Sequence, residues 1–62
     1  MKLQVDYCWK DDNAPKGYLK GSITYPRNPR KETASEVMRL LDAASEKEKK
    51  PVILVGFYEY GV

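Results

Sequence analysis

The twelve residues Pro51-Val-Ile-Leu-Val-Gly-Phe-Tyr-Glu-Tyr-Gly-Val62 constrain the fold more than any other stretch. They are apolar or aromatic at nearly every position and carry one charge, Glu59. β-Branched and aromatic residues at this density favour a strand. A strand turns alternate side chains to opposite faces, so one that is apolar at both parities needs cover on both. A chain of 62 residues supplies one covering layer. The second face is then left for another molecule.

That length also sets the stability problem. Residues 1–62 have room for one domain and one core, and a domain of this size buries only about 60% of its unfolded-chain surface. Small domains are commonly stapled by disulfides, a structural metal or self-association. The single cysteine, Cys8, excludes an internal disulfide, and the sequence has no histidine. A lone thiol does not make a Cys/His zinc site, so neither metal nor cofactor is expected. Self-association remains, and a homodimer built through the C-terminal strand is the expectation.

Charged residues make up 32% of the chain and hydrophobic ones 42%, the balance of an ordinary globular domain. The formal net charge of +2 is too small to imply nucleic acid by itself. Met1-Lys-Leu-Gln-Val-Asp6 has no apolar core of a signal peptide, and the longest uncharged run, Pro51 to Tyr58, falls far short of the ~20 residues of a membrane span. A single cysteine without an export signal fits a reducing cytoplasm, with no membrane partner.

Residues 1–10 alternate cleanly. Met1, Leu3, Val5, Tyr7 and Trp9 share one parity, and Lys2, Gln4, Asp6, Cys8 and Lys10 share the other, which is the pattern of a half-buried strand. Asp11-Asp-Asn-Ala-Pro-Lys-Gly17 collects turn-forming residues and predicts a loop. A second strand spans Tyr18 to about Tyr25, with Gly21 marking a bulge or the close approach of another element, expected to be the helix above it. Pro26-Arg-Asn-Pro-Arg-Lys31 is excluded from helix and central strand by its two prolines.

Thr33-Ala-Ser-Glu36 has capping-box spacing, with Thr33 as N-cap and Glu36 three residues on. Ala34, Val37, Met38, Leu41 and Ala44 then recur at helical spacing, with Leu40 at the flank of the stripe. Cations close the helix, where its dipole favours them, and Pro51 ends it. The order β-β-α-β predicts a small α+β two-layer sandwich, a three-stranded sheet with one helix packed on one face. The last strand is expected beside the first.

Enzyme chemistry is not expected. No histidine is present for acid–base work, Asp11 and Asp12 fall in a turn, and Cys8 has neither a partner base nor a helix N-terminus to activate it. Two constellations point to binding instead. Arg27, Arg30 and Lys31 sit on a proline-fixed loop, and with Lys20 and Tyr18 on the outer sheet face they form a candidate partner-binding set for phosphates or acidic groups. They should be solvent-exposed and contribute little to folding. Ile53, Val55, Phe57 and Glu59 share a parity and form a candidate oligomer interface on the outer face, with Val52, Leu54, Tyr58 and Tyr60 beneath the helix; a bulge at Gly56 would exchange the assignments beyond it.

Gly17-Tyr18 opening a strand, a proline-bearing turn, and Glu32-Thr-Ala-Ser-Glu-Val37 opening a helix resemble the strand-to-helix segment of HicB-type antitoxins. The resemblance covers under half the chain, and the Gly-Cys turn usual in that family is absent. In size and architecture the chain is also similar to small accessory proteins of phages, which bind host machinery. The function expected from the residues is a non-catalytic protein-binding module, a regulator or inhibitor that occupies a site on a larger partner. The alternative is a nucleic-acid-binding module using the basic loop and outer sheet face.

Overall fold

The alternating N-terminal segment forms β1 (Lys2–Lys10), the segment after the loop forms β2 (Tyr18–Pro26), the amphipathic stretch forms α1 (Thr33–Glu48), and the apolar terminus forms β3 (Ile53–Tyr60). The computed structural model describes residues 1–61. The sheet order is β2-β1-β3, with β1 antiparallel to both neighbours. The pairing of the last strand with the first is therefore as the sequence predicts. β2 and β3 run parallel to each other on the two edges, and α1 carries the chain from one edge to the other.

The β1–β2 turn is closed by local bonds. Asp11 N–H donates to the Gly17 carbonyl at 3.0 Å, and Asn13 N–H donates to Asp11 Oδ1 at 2.8 Å. Gly17 takes φ +85°, a left-handed conformation open to glycine at no steric cost.

Leu3 and Val5 of β1 pack with Val37 and Leu40 of α1 in one buried cluster, Ile23 and Leu41 close its margins, and Tyr7 and Ala44 are buried as well. Complete burial of side chains of this size contributes roughly 1.5–3 kcal/mol each. The helix is rotated from its sequence-predicted stripe. Leu40 lies at the centre of the buried face, whereas Met38 is exposed. The reason is the position of the sheet's deepest apolar row, on β1, toward which the 37/40/44 line points.

Tyr7 is fully buried and lies across β2 at Gly21. A Cβ at Gly21 would stand 2.9 Å from both Cζ and Oη of Tyr7. The close approach predicted at Gly21 is thus real, but it comes from a side chain of the neighbouring strand and not from the helix. The Tyr7 hydroxyl donates to Glu48 Oε2 at 2.7 Å, tying β1 to the last turn of α1. Burial pushes the Tyr7 hydroxyl up to about 12, and the hydrogen bond to Glu48 and its negative charge add to the effect.

The helix termini depart from the predicted caps. Glu32 is the N-cap, and no side chain caps the first turn. The Thr33 hydroxyl, assigned above to a capping box, instead donates to Glu59 Oε1 of β3 at 2.9 Å. Glu36 is buried, and its backbone N–H donates to the Glu32 carbonyl at 3.1 Å. A tertiary partner has displaced the local one. At the other end Lys49 adopts φ 59°, and its N–H reaches the Ser45 carbonyl.

The result is a thin plate of 40 × 19 × 15 Å with a radius of gyration of 12.4 Å, against about 10.5 Å for a compact chain of this length. Its accessible surface of 4715 Å² exceeds the roughly 4100 Å² expected for its mass. One face of the sheet carries no covering layer.

Candidate interaction surfaces

Register decides which side chains reach each face. Directly opposed residues share a face, so the row Leu3, Val5, Tyr7 places Tyr25, Ile23 and Gly21 of β2 on the helix side. On β3 the same row meets Glu59, Phe57 and Leu54. The register shifts between Asp6 and Tyr7, whose partners are Gly56 and Leu54, leaving Val55 as an extra, unpaired residue. This bulge reverses parity along β3. Phe57 and Glu59, expected on the outer face, lie on the helix side. Tyr58 and Tyr60, expected beneath the helix, lie on the open face opposite Gln4 and Lys2. Ile53, opposite Cys8, is on the open face as predicted. The predicted interface set is therefore split between two surfaces.

The first surface is the β3 edge with the flank of α1 beside it. Turning 100° per residue, the helix that buries Val37, Leu40 and Ala44 directs Glu36 and Ala43 toward β2 and Ala34, Met38 and Leu41 toward β3. Phe57 is 47% exposed and Met38 60% exposed, with Leu54 at 40%. These apolar side chains on the helix side of β3 and on the facing flank of α1 remain exposed.

The second surface is the open sheet face. It carries Lys2, Lys10 and Lys20, Tyr18, Tyr58 and Tyr60, Cys8, Ile53 and the polar residues Gln4, Ser22 and Thr24. Lys20 Nζ stands 5.9 Å from the centre of the Tyr18 ring. Asp6 is the one acid there, and its Oδ1 accepts a hydrogen bond from Gln4 Nε2 at 2.9 Å. Three lysines against one aspartate account for the whole formal charge of +2, since the remaining eight cations and eight acids cancel.

The basic loop does not behave as one unit. Arg27, predicted to be free at the surface, has a side chain only 9% exposed. Its Nη2 donates to the Lys31 carbonyl at 2.8 Å and to Thr33 Oγ1 at 3.0 Å, its Nη1 donates to the Asn28 carbonyl, and its Nε lies 3.4 Å from Glu59 Oε1. Arg27 thus ties the loop, the helix start and β3 together. Prolines at 26 and 29 leave few backbone donors in this segment, and the guanidinium's several N–H groups serve the carbonyls instead. Arg30 and Lys31 are exposed. They follow the Pro26 end of β2, whereas Tyr18 and Lys20 lie at its start, about 20–26 Å away along the strand. The five predicted partner-binding residues are not brought together.

Lys2, Tyr58 and Tyr60 were missed as members of a common surface. The alternation of β1 already placed Lys2 on the polar parity, but nothing local fixes where a bulge falls.

A cleft of about 440 Å³ lies on the other side of α1, between Tyr25 and Pro26 of β2 and Glu36, Arg39 and Leu40 of the helix. Among the described residues no group of three or more His, Cys, Asp or Glu side chains gathers as metal ligands do, and no helix is long and apolar enough to cross a membrane. Comparison with protein-family models, with curated proteins and with solved structures finds no match.

Proposed function

We propose that this chain is a non-catalytic protein-binding module of a reducing cytoplasm, a small regulator or inhibitor that occupies a site on a larger partner and self-associates through β3. The observation that carries this reading is the exposure of apolar side chains on both faces of that one strand, Ile53 and Tyr58 on one side and Leu54 and Phe57 on the other. An edge strand of this composition recruits another chain, because its outer backbone groups are unpaired and its side chains gain by leaving water. β2, the opposite edge, bears Lys20 and Pro26, which discourage pairing.

Antiparallel addition of a second β3 would extend the sheet and bring Phe57 and Met38 of both copies together on the helix side. The bulge at Val55 confines regular pairing to Gly56–Tyr60. Absence of catalysis rests on a sequence with no histidine and on carboxylates, Asp11 and Asp12, set in the hairpin turn.

Light scattering at tens of micromolar tests the self-association. The expected mass is twice 7.1 kDa for the native chain, falling to 7.1 kDa for Phe57→Asp. A native mass of 7.1 kDa, unchanged by that substitution, overturns the reading. Capture of a larger protein should resist nuclease and salt and be lost with Phe57→Asp.

A further inference from the structure

We infer that the open face of the sheet is a binding platform for single-stranded nucleic acid, with Lys2, Lys10 and Lys20 meeting the phosphates and Tyr58, Tyr60 and Tyr18 stacking bases. The inference shares Tyr58 with the reading above but uses none of Leu54, Phe57 or Met38, and it stands without self-association.

Charge is the first argument. The helix side, the loops and the turn together are neutral, and the formal charge is concentrated on one flat face. The one acid on that face, Asp6, sits at mid-strand, where it accepts a hydrogen bond from Gln4 and stands opposite Gly56, toward which the Tyr58 hydroxyl reaches. Polyanions gain on binding such a surface because their condensed counterions are released into solution.

Aromatic placement is the second. Tyr58 and Tyr60 are two residues apart on one strand and share a face, so their Cα atoms are about 6.6–6.8 Å apart along β3. Tyr58 is 56% exposed and Tyr60 42%, more than packing against β1 requires. Tyr18 stands at the opposite corner, opposed to Lys10, with Lys20 beside it. Exposed aromatics on a sheet flanked by cations are how unpaired bases are held without base-specific hydrogen bonds.

Shape and charge disfavour the nearest competitors. The face has a flat footprint of roughly 14 by 30 Å. A second copy set face to face would oppose lysines to lysines. Duplex DNA is read by an element that enters a groove, and this face is flat. A short single strand, at the low end of the ~4–16 nucleotides that one sheet-based module covers, fits its length.

The test is fluorescence anisotropy of a labelled oligothymidine titrated with the native chain, with a duplex of equal length and polyglutamate as competitors. Saturable binding is expected, with log K falling against log salt at a slope near −2 for three phosphate contacts. Tyr58→Ala and Tyr60→Ala should each weaken binding about 5- to 150-fold. Lys20→Ala should lower the slope by about 0.7. Arg39→Ala, on the helix, should change nothing. Thermal melts accompany each variant, and Tyr58→Val and Tyr60→Val, which keep strand propensity, replace any alanine variant that fails to fold. Phe57→Asp should retain binding per chain, which separates failure of this inference from failure of the dimer.

No saturable binding at low salt overturns the inference. So does competition by duplex or polyglutamate as strong as by the single strand. Loss of binding on Arg30→Ala and Lys31→Ala with none on Tyr58→Val and Tyr60→Val would assign the activity to the loop and overturn it as well.

Discussion

Gly21→Ala is the substitution whose consequence the structure fixes most tightly. The added Cβ would lie 2.9 Å from Cζ and Oη of Tyr7 and 3.0 Å from Cε2, well inside ordinary contact. Relief requires the Tyr7 ring to shift by several tenths of an ångström. That ring is fully buried, its hydroxyl is held by Glu48 at 2.7 Å, and the Trp9 ring centroid lies 5.7 Å away. A shift therefore strains the bond to Glu48 or the packing against Trp9. Overpacking of this kind costs roughly 1–3 kcal/mol, while replacing a strand glycine by alanine returns roughly 0.5–1 kcal/mol of backbone entropy. The net expectation is a loss of about 0.5–2 kcal/mol.

Against a total stability of roughly 3–9 kcal/mol for a domain of this length, such a loss is plainly measurable. Urea denaturation should show a lower midpoint at unchanged slope, and the melting temperature should fall by about 4–8 °C per kcal/mol. The decisive measurement is the double-mutant cycle with Tyr7→Leu. Leucine removes the ring that clashes, so Gly21→Ala should cost less in that background, or become stabilising. Equal costs in the two backgrounds would refute the reasoning, because the penalty would then have nothing to do with Tyr7.

Two further predictions concern single side chains. Arg27→Ala should destabilise the fold by about 1–3 kcal/mol through lost hydrogen bonds at a buried junction, whereas Arg30→Ala and Lys31→Ala should stay within ~0.5 kcal/mol; equal effects of the three in urea titrations would contradict the structural role of Arg27. On alkaline titration followed by tyrosinate absorbance, Tyr7 should ionise near 12, above the ordinary tyrosine value of 10.0. Because the unfolded chain releases that proton first, stability is fully present below pH 10 and falls as pH rises from 10 toward 12. Glu48→Gln should bring the late step down, since it removes the negative charge beside the hydroxyl.

The order and type of the four elements were legible in the sequence, because each rests on local physics. Period-two alternation in residues 1–10, the turn residues of 11–17, the helical spacing of 34–44 and the block at Pro51 each act within a few residues. The pairing of β3 with β1 and the presence of an uncovered face followed from counting apolar parities against one helix. The same alternation set Lys2, Asp6 and Lys10 apart from the core side of β1, and with them three of the open face's four charges.

What tertiary structure decided was every feature that depends on two distant segments meeting. The bulge at Val55 is fixed by register against β1, and it moved Phe57 and Glu59 to the helix side and Tyr58 and Tyr60 to the open face. Glu59, 26 residues away, took the Thr33 hydroxyl from its predicted cap, and Arg27 folded into the same junction. The helix rotated to centre Leu40 because Leu3 and Val5 lie beneath that line. A sequence records which residues are apolar and how they repeat. Which partner a hydroxyl, a guanidinium or a shifted strand finds depends on competition among contacts that exist only once the chain has closed on itself.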